Sequence, residues 1–444
     1  MYYPRPDTPT IREIIPLRTL TPIANKQSVT PPLSAAGNRP FLPGWTCSTH
    51  VFQAATPRES APPGIADKIP VPAGEISKTE RLALANAQLD ELVKLRHAVA
   101  SGKTFPENDA TMWIAANRYA FDRPRLNGSG PARTLVLTHG TGFHKEIWET
   151  TLRYLLATSQ GQASVDEIWA LDAANHGDSA LLNKDKLGEL YEWSDHARDL
   201  LNFLINFLPE SIEPGQIESN LPQVPNQSAL RRRERGFADR RIIGIGHSFG
   251  GCTVARAAID SPILFSSIIL VDPIIYPLYA IRNYSADFLA EGALTRRERW
   301  PDREIAKSNF LKSPFFRAWH PDVLADHVKY GITEEGEGVR LKCSGFQECI
   351  TFLESGRLQS EVWELLPTLD KRIPLKWMMD STQAWSTGGL EMTQHTVWRR
   401  PVNTTNIKIK GAGHLASIPH EAPEALAREI LDFIQTHHGV KPKL

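Results

Sequence analysis

The stretch Arg241–Gly251 reads RIIGIGHSFGG and contains Gly246-His247-Ser248-Phe249-Gly250, a G-x-S-x-G arrangement. An apolar run precedes it and a small-residue helix pattern follows. That setting turns such a serine into a nucleophile. The hydroxyl would sit on a tight strand-to-helix turn, where side chains at the flanking positions clash and glycines relieve the clash. Without partners, the same stretch would be a glycine-rich turn packing a helix on a sheet. A serine hydroxyl is a weak nucleophile until a base lies within hydrogen-bond reach and a third group orients that base. In this topology the acid comes next in the chain and the histidine last.

Five histidines lie near the C-terminus: His395, His414, His420, His437 and His438. His414 ends Gly411-Ala412-Gly413-His414, just past the last predicted strand and before the final helix, and is the chosen base. His420 leads into that helix, and His437-His438 end it. For the acid, Asp272 closes the strand that follows the nucleophile helix, while Asp380 closes the next one, in WMMD. If Asp380 took the glycine place of a G-x-x-D turn, Gln383 would stand where the acid belongs. Asp272 is preferred, with Asp380 as the alternative; a turn aspartate before proline is the plainer reading of Asp272. The oxyanion needs two backbone N–H groups. Phe249 offers one, and the loop His139-Gly140-Thr141-Gly142-Phe143 offers the other from Phe143 or Thr141.

These groups converge only if strands and helices alternate, and after residue 130 they do. Thr134–Thr138, Glu167–Asp172, Arg241–Gly246, Ser267–Val271, Leu375–Met379 and Asn406–Lys410 read as strands. Glu146–Thr158, Trp193–Leu208, Gly250–Asp260 and Pro423–Thr436 read as helices between them. Cys47–Ala55 and Met112–Tyr119 read as earlier strands, and Thr79–Ala100 as a helix. The pattern implies an α/β fold with a mostly parallel sheet flanked by helices. Residues 1–40 lack periodicity and read as a proline-rich disordered extension. Residues 41–275 form the first part of the core, interrupted at 209–240 by a polar, then basic, surface-loop insert. Residues 276–370 form a helical lid insert, and 371–444 complete the core.

Composition limits the partners. Among 444 residues, Lys+Arg and Asp+Glu are 50 each, so no dominant charge draws the chain to nucleic acid. No apolar run approaches the roughly 20 residues that span a bilayer. Cys47, Cys252, Cys343 and Cys349 form neither a disulfide framework nor a metal motif, and no metal or cofactor is expected.

HGTGFHKEIW, LDAANHGDSA, GHSFGG and LVDP together resemble the α/β-hydrolase superfamily. More narrowly, they resemble a fungal peroxisomal group. It includes a yeast lipase-like hydrolase, hydrolases of host-selective toxin pathways and an acyl-CoA hydrolase of mycophenolic acid biosynthesis. The resemblance covers the chain from about Cys47 onward and implies Ser248, Asp272 and His414 as the triad, with Phe143 in the oxyanion loop. His176 and Asp178 would shape the loop beside the pocket. The final Pro442-Lys443-Leu444 resembles the peroxisomal address S-K-L, which implies an import receptor as partner and the peroxisomal matrix as location, with cytoplasm as the alternative. The implied activity is hydrolysis of an acyl-CoA thioester in secondary metabolism. The rivals are a carboxylesterase or lipase and a non-catalytic binding member of the fold. Trp300, Phe315, Phe316, Trp319 and Trp363 are candidates for an acyl pocket, and Arg282, Arg296, Arg297 and Arg299 for phosphate contacts.

Overall fold

A computed structural model describes residues 1–10, 14–24, 31, 37–58, 77–103, 110–122, 130–212, 214, 217–278, 287–353, 357–380, 389–410 and 422–439. Twelve strands are described: β1 Arg39–Leu42, β2 Trp45–Gln53, β3 Trp113–Phe121, β4 Ala132–Thr138, β5 Glu167–Leu171, β6 Arg240–His247, β7 Ser267–Val271, β8 Arg299–Trp300, β9 Ile332–Glu335, β10 Gly338–Leu341, β11 Leu375–Asp380 and β12 Thr404–Ile409. Nine form one sheet in the order β1-β2-β3-β5-β4-β6-β7-β11-β12. From β5 to β12 every pairing is parallel; β1, β2 and β3 join antiparallel at one side.

The parallel strands are apolar on both faces because helices cover both. On β7, Ile268 and Leu270 face one core cluster, and Ile269 and Val271 face the other. The first core also holds Trp169, Phe203, Phe249 and Trp377; the second holds Trp148, Ile243, Ile245 and Phe433. Strand order brings the carboxyl ends of β4, β6, β7 and β11 to one edge of the sheet, where open α/β sheets bind ligands.

Three expectations need correction. First, residues 1–10 and 14–24 do not behave as a disordered extension. Tyr3 is buried, and Arg18 pairs with the buried Glu192 and Glu361. Arg198 donates to the carbonyls of Thr21 and Pro22. The segment lacks periodicity because it is an extended strap with distant partners. Second, the insert at 209–240 is not only a loop. Its Val51–Ser219 and Leu221–Val51 backbone bonds fasten it to β2, and a helix spans Asn226–Arg235. Third, the lid insert is not purely helical. It carries a three-stranded sheet in the order β8-β10-β9, among the helices Asp287–Thr295, Arg303–Phe310, Pro321–Tyr330, Gly345–Leu353 and Arg357–Leu365.

Candidate active site

Ser248 lies between β6 and the helix Phe249–Asp260 with φ 55° and ψ −122°, a conformation that costs a non-glycine residue energy. The surroundings hold it there. Its N–H donates to the carbonyl of Val271 at 3.0 Å, and its carbonyl accepts from Gly251 at 3.0 Å and Ile274 at 3.2 Å. A Cβ on Gly246 would lie 2.4 Å from the carbonyl oxygen of Gly250, and one on Gly250 would lie 2.5 Å from that of His139. Neither position has room for a side chain. His247 and Phe249 are buried while Ser248 reaches the surface in part.

The glycine loop after β4 packs directly against this turn: a Cβ on Gly140 would stand 3.2 Å from Ser248 Cβ. Within the loop, the Phe143 N–H turns back to the Gly140 carbonyl at 3.3 Å, and the Gly142 N–H donates to His176 Nε2 at 2.9 Å. The Thr141 N–H has no such bond in the loop. Phe249 opens its helix, so its N–H is one of the donors a helix leaves without an internal acceptor. Thr141 and Phe249 therefore fit the oxyanion requirement better than Phe143, whose N–H is committed.

Two buried imidazoles brace the glycine loop and pack on Phe249. His139 Nε2 accepts from the Ala173 N–H at 3.1 Å, which places its proton on Nδ1, 2.8 Å from the Gly140 carbonyl. His176 holds Gly142 through Nε2, and its Nδ1 lies 2.7 Å from Asn175 Oδ1. Burial lowers His139 to about 3 and pushes His176 well below the ordinary histidine range, so both stay neutral. Their rings also pack on Phe249, each with centroids 6.1 Å away, together with His196 at 4.9 Å and Trp193 at 5.4 Å. The NHGDS block signals the His176 part of this cage. His196 and Trp193 carry no local signal.

Asp272 follows β7 with φ 41°, is buried, and donates its N–H to the Met378 carbonyl at 2.8 Å. The loop it opens touches the serine turn, since a Cβ on Gly251 would meet Pro273 Cβ at 2.7 Å. Asp380 ends β11, the neighbouring strand, and is buried too. Both acids thus stand at the same sheet edge, and Asp272 adjoins the nucleophile's own turn. His414 follows β12 and lies outside the described residues, as do Arg282, Gln383, His420, Pro442, Lys443 and Leu444.

Beneath the loop lies a charged layer. Lys145 is fully buried and pairs with Asp172, Asp178 and Glu146. Burial alone would lower its ammonium, but Asp172 and then Asp178 raise it well above the usual lysine range. Lys342, at the end of β10's hairpin, reaches Asp178, so the insert is tied to the core here. Above, Phe143 meets Trp319 at 5.6 Å, and Trp319 meets Phe315 at 5.5 Å and Phe316 at 4.9 Å. Trp300 belongs to the same cluster, but Trp363 lies in the other core, under Arg399. Trp363 is therefore removed from the acyl-pocket set. Arg296 is committed to Glu348, and Arg299 to Glu298 and Glu335.

Residues 135–429 match the alpha/beta hydrolase family, and the chain belongs to it. Among curated relatives, the type I acyl-CoA thioesterase mpaH' of Penicillium brevicompactum is 32% identical over 187 residues, 41% of this chain and 37% of that protein. The peroxisomal membrane protein LPX1 of Saccharomyces cerevisiae is 32% identical over 250 residues, 52% of this chain and 58% of that protein. The chain thus spans about half the length of the curated relatives it matches. The solved peroxisomal alpha-beta-hydrolase Lpx1 from Saccharomyces cerevisiae superposes with a TM-score of 0.62 at 19% identity, covering 90% of this chain and 91% of that one, a likeness of fold. Among the described residues no helix is long and apolar enough to cross a membrane.

Proposed function

We propose that the chain is a serine hydrolase that cleaves an acyl thioester through an acyl-serine intermediate. The observation that carries this reading is Ser248 on its strained turn at the start of the Phe249 helix, with Gly140 of the glycine loop packed against it. His414, oriented by Asp272, takes the Ser248 proton as Oγ bonds to the substrate carbonyl carbon. The carbonyl oxygen becomes an oxyanion that the two N–H groups hold; one such donor is worth about 10²–10³ in turnover. The carbon–sulfur bond then breaks, and the imidazolium returns its proton to the leaving thiolate. Water, deprotonated by His414, attacks the acyl-serine and releases the acid with Ser248 restored.

The acyl-CoA assignment follows the thioesterase relative, and the aromatic wall of Phe143, Phe315, Phe316 and Trp319 suits an apolar acyl chain. One observation favours a carboxylesterase instead: Arg296 and Arg299 are engaged by carboxylates, which weakens them as phosphate contacts. A panel of acyl-CoAs beside nitrophenyl esters separates the two. Higher kcat/KM on a thioester is expected, and faster turnover of simple esters overturns the thioesterase assignment. The proposed location is the peroxisome. A fluorescent fusion of the chain is expected to co-localise with a peroxisomal marker, and a cytosolic distribution would contradict that location.

A further inference from the structure

The strap segment 1–10 reaches the sheet edge at β11, whose end carries Asp380, and at β12, which precedes His414. Met1 accepts a backbone bond from Lys408 on β12 at 2.8 Å. Tyr3 and Asn406 exchange two bonds: the Tyr3 N–H donates to Asn406 Oδ1 at 2.6 Å, and Asn406 Nδ2 donates to the Tyr3 carbonyl at 3.2 Å. That carbonyl also accepts from Trp398 Nε1 at 2.8 Å, and the Lys408 ammonium sits 3.9 Å over the Tyr3 ring. Tyr3 is 1% exposed, and its hydroxyl donates to the carbonyl of Asp380 at 3.2 Å. Asp380 ends β11, whose Met378 carbonyl in turn holds the Asp272 N–H.

We propose that Tyr3 is a positioning residue: its hydroxyl pins the end of β11, and through Met378 the backbone of Asp272, while the strap it anchors fixes β12 ahead of His414. Burial, then the Asp380 and Asp272 carboxylates, raises the phenol far above its ordinary value, so the hydroxyl stays a donor at any working pH. A catalytic acid displaced by a fraction of an ångström misdirects its histidine, and such errors propagate into turnover rather than into substrate binding. The inference rests on the serine-hydrolase reading and extends it to a segment that the nucleophile's own neighbourhood does not contain.

The test compares the wild-type chain with Tyr3→Phe and Arg18→Gln. Arg18 anchors the same strap at its far end, on Glu192 and Glu361, away from the strand ends. Tyr3→Phe is expected to lower kcat and the rate of Ser248 labelling by a fluorophosphonate about tenfold, with KM unchanged and melting temperature nearly so. Arg18→Gln should lower the melting temperature and leave kcat in place. Wild-type turnover and labelling in Tyr3→Phe would overturn the assignment. So would an equal loss of kcat in both variants, which would reduce Tyr3 to general stability. If the wild-type chain itself takes no fluorophosphonate at Ser248, the serine-hydrolase reading fails, and the role of Tyr3 falls with it.

Discussion

Asp272 and Asp380 are one strand apart, both buried, and both at the carboxyl edge of the sheet. What separates them is contact with the nucleophile's turn: the Asp272-Pro273 loop packs on Gly251, and Ile274 donates to the Ser248 carbonyl. Asp272→Asn should therefore cut kcat by about 10⁴, as loss of an orienting acid does, while Asp380→Asn costs far less. The reverse order in steady-state kinetics would move the acid to β11. His176 gives a pH-dependent prediction. The folded state keeps it neutral, and the unfolded chain takes a proton near the ordinary value of about 6.5, so this residue costs stability as pH falls below that value. His176→Gln keeps an acceptor for the Gly142 N–H and removes the titration. The stability advantage of wild type over the variant should shrink by on the order of 2 kcal/mol from pH 7 to pH 5, measured by denaturant unfolding. A gap independent of pH would mean that the imidazole takes up its proton in the fold as readily as in the unfolded chain.

Elements with local signals were legible in the sequence. β6, the serine turn and its helix announce themselves through Ile242, Ile243 and Ile245, then glycines on either side of Ser248, then small helical residues. β7 reads correctly to the residue, because an apolar run bounded by Ser266 and Asp272 has the length of a buried strand. The short strands β8, β9 and β10 were illegible: two to four residues carry no period, and the β8–β10 pairing joins residues about 40 positions apart. The charged layer was illegible for a similar reason. Nothing near HGTGFHKEIW indicates that Lys145 is buried against Asp172 and Asp178. Lys145→Met should leave those carboxylates uncompensated in the interior and cost about 3–5 kcal/mol. Urea unfolding at pH 7 measures this, and a loss below about 1 kcal/mol would mean that water or another cation reaches the acids.

For the molecule as a whole, the sheet supplies the site and everything added to the sheet constrains it. The insert after β7 packs Trp319 and Phe316 against Phe143 of the glycine loop and is tied down by the Lys342–Asp178 pair. The strap joins the Asp380 end of β11 to the buried Arg198 and Arg256, whose guanidinium groups bind its carbonyls. Prolines and the absence of periodicity hid that role, since a strap's partners are spread from Thr56 to Lys408 and leave no pattern in its own residues. The decisive measurement is the mass of the Ser248 peptide after incubation of the wild-type chain with an acyl-CoA and rapid quenching. The expected result is an added acyl group on Ser248 and none in Ser248→Ala. Wild-type thioester turnover that survives Ser248→Ala, with no adduct at that position, would contradict the serine mechanism outright.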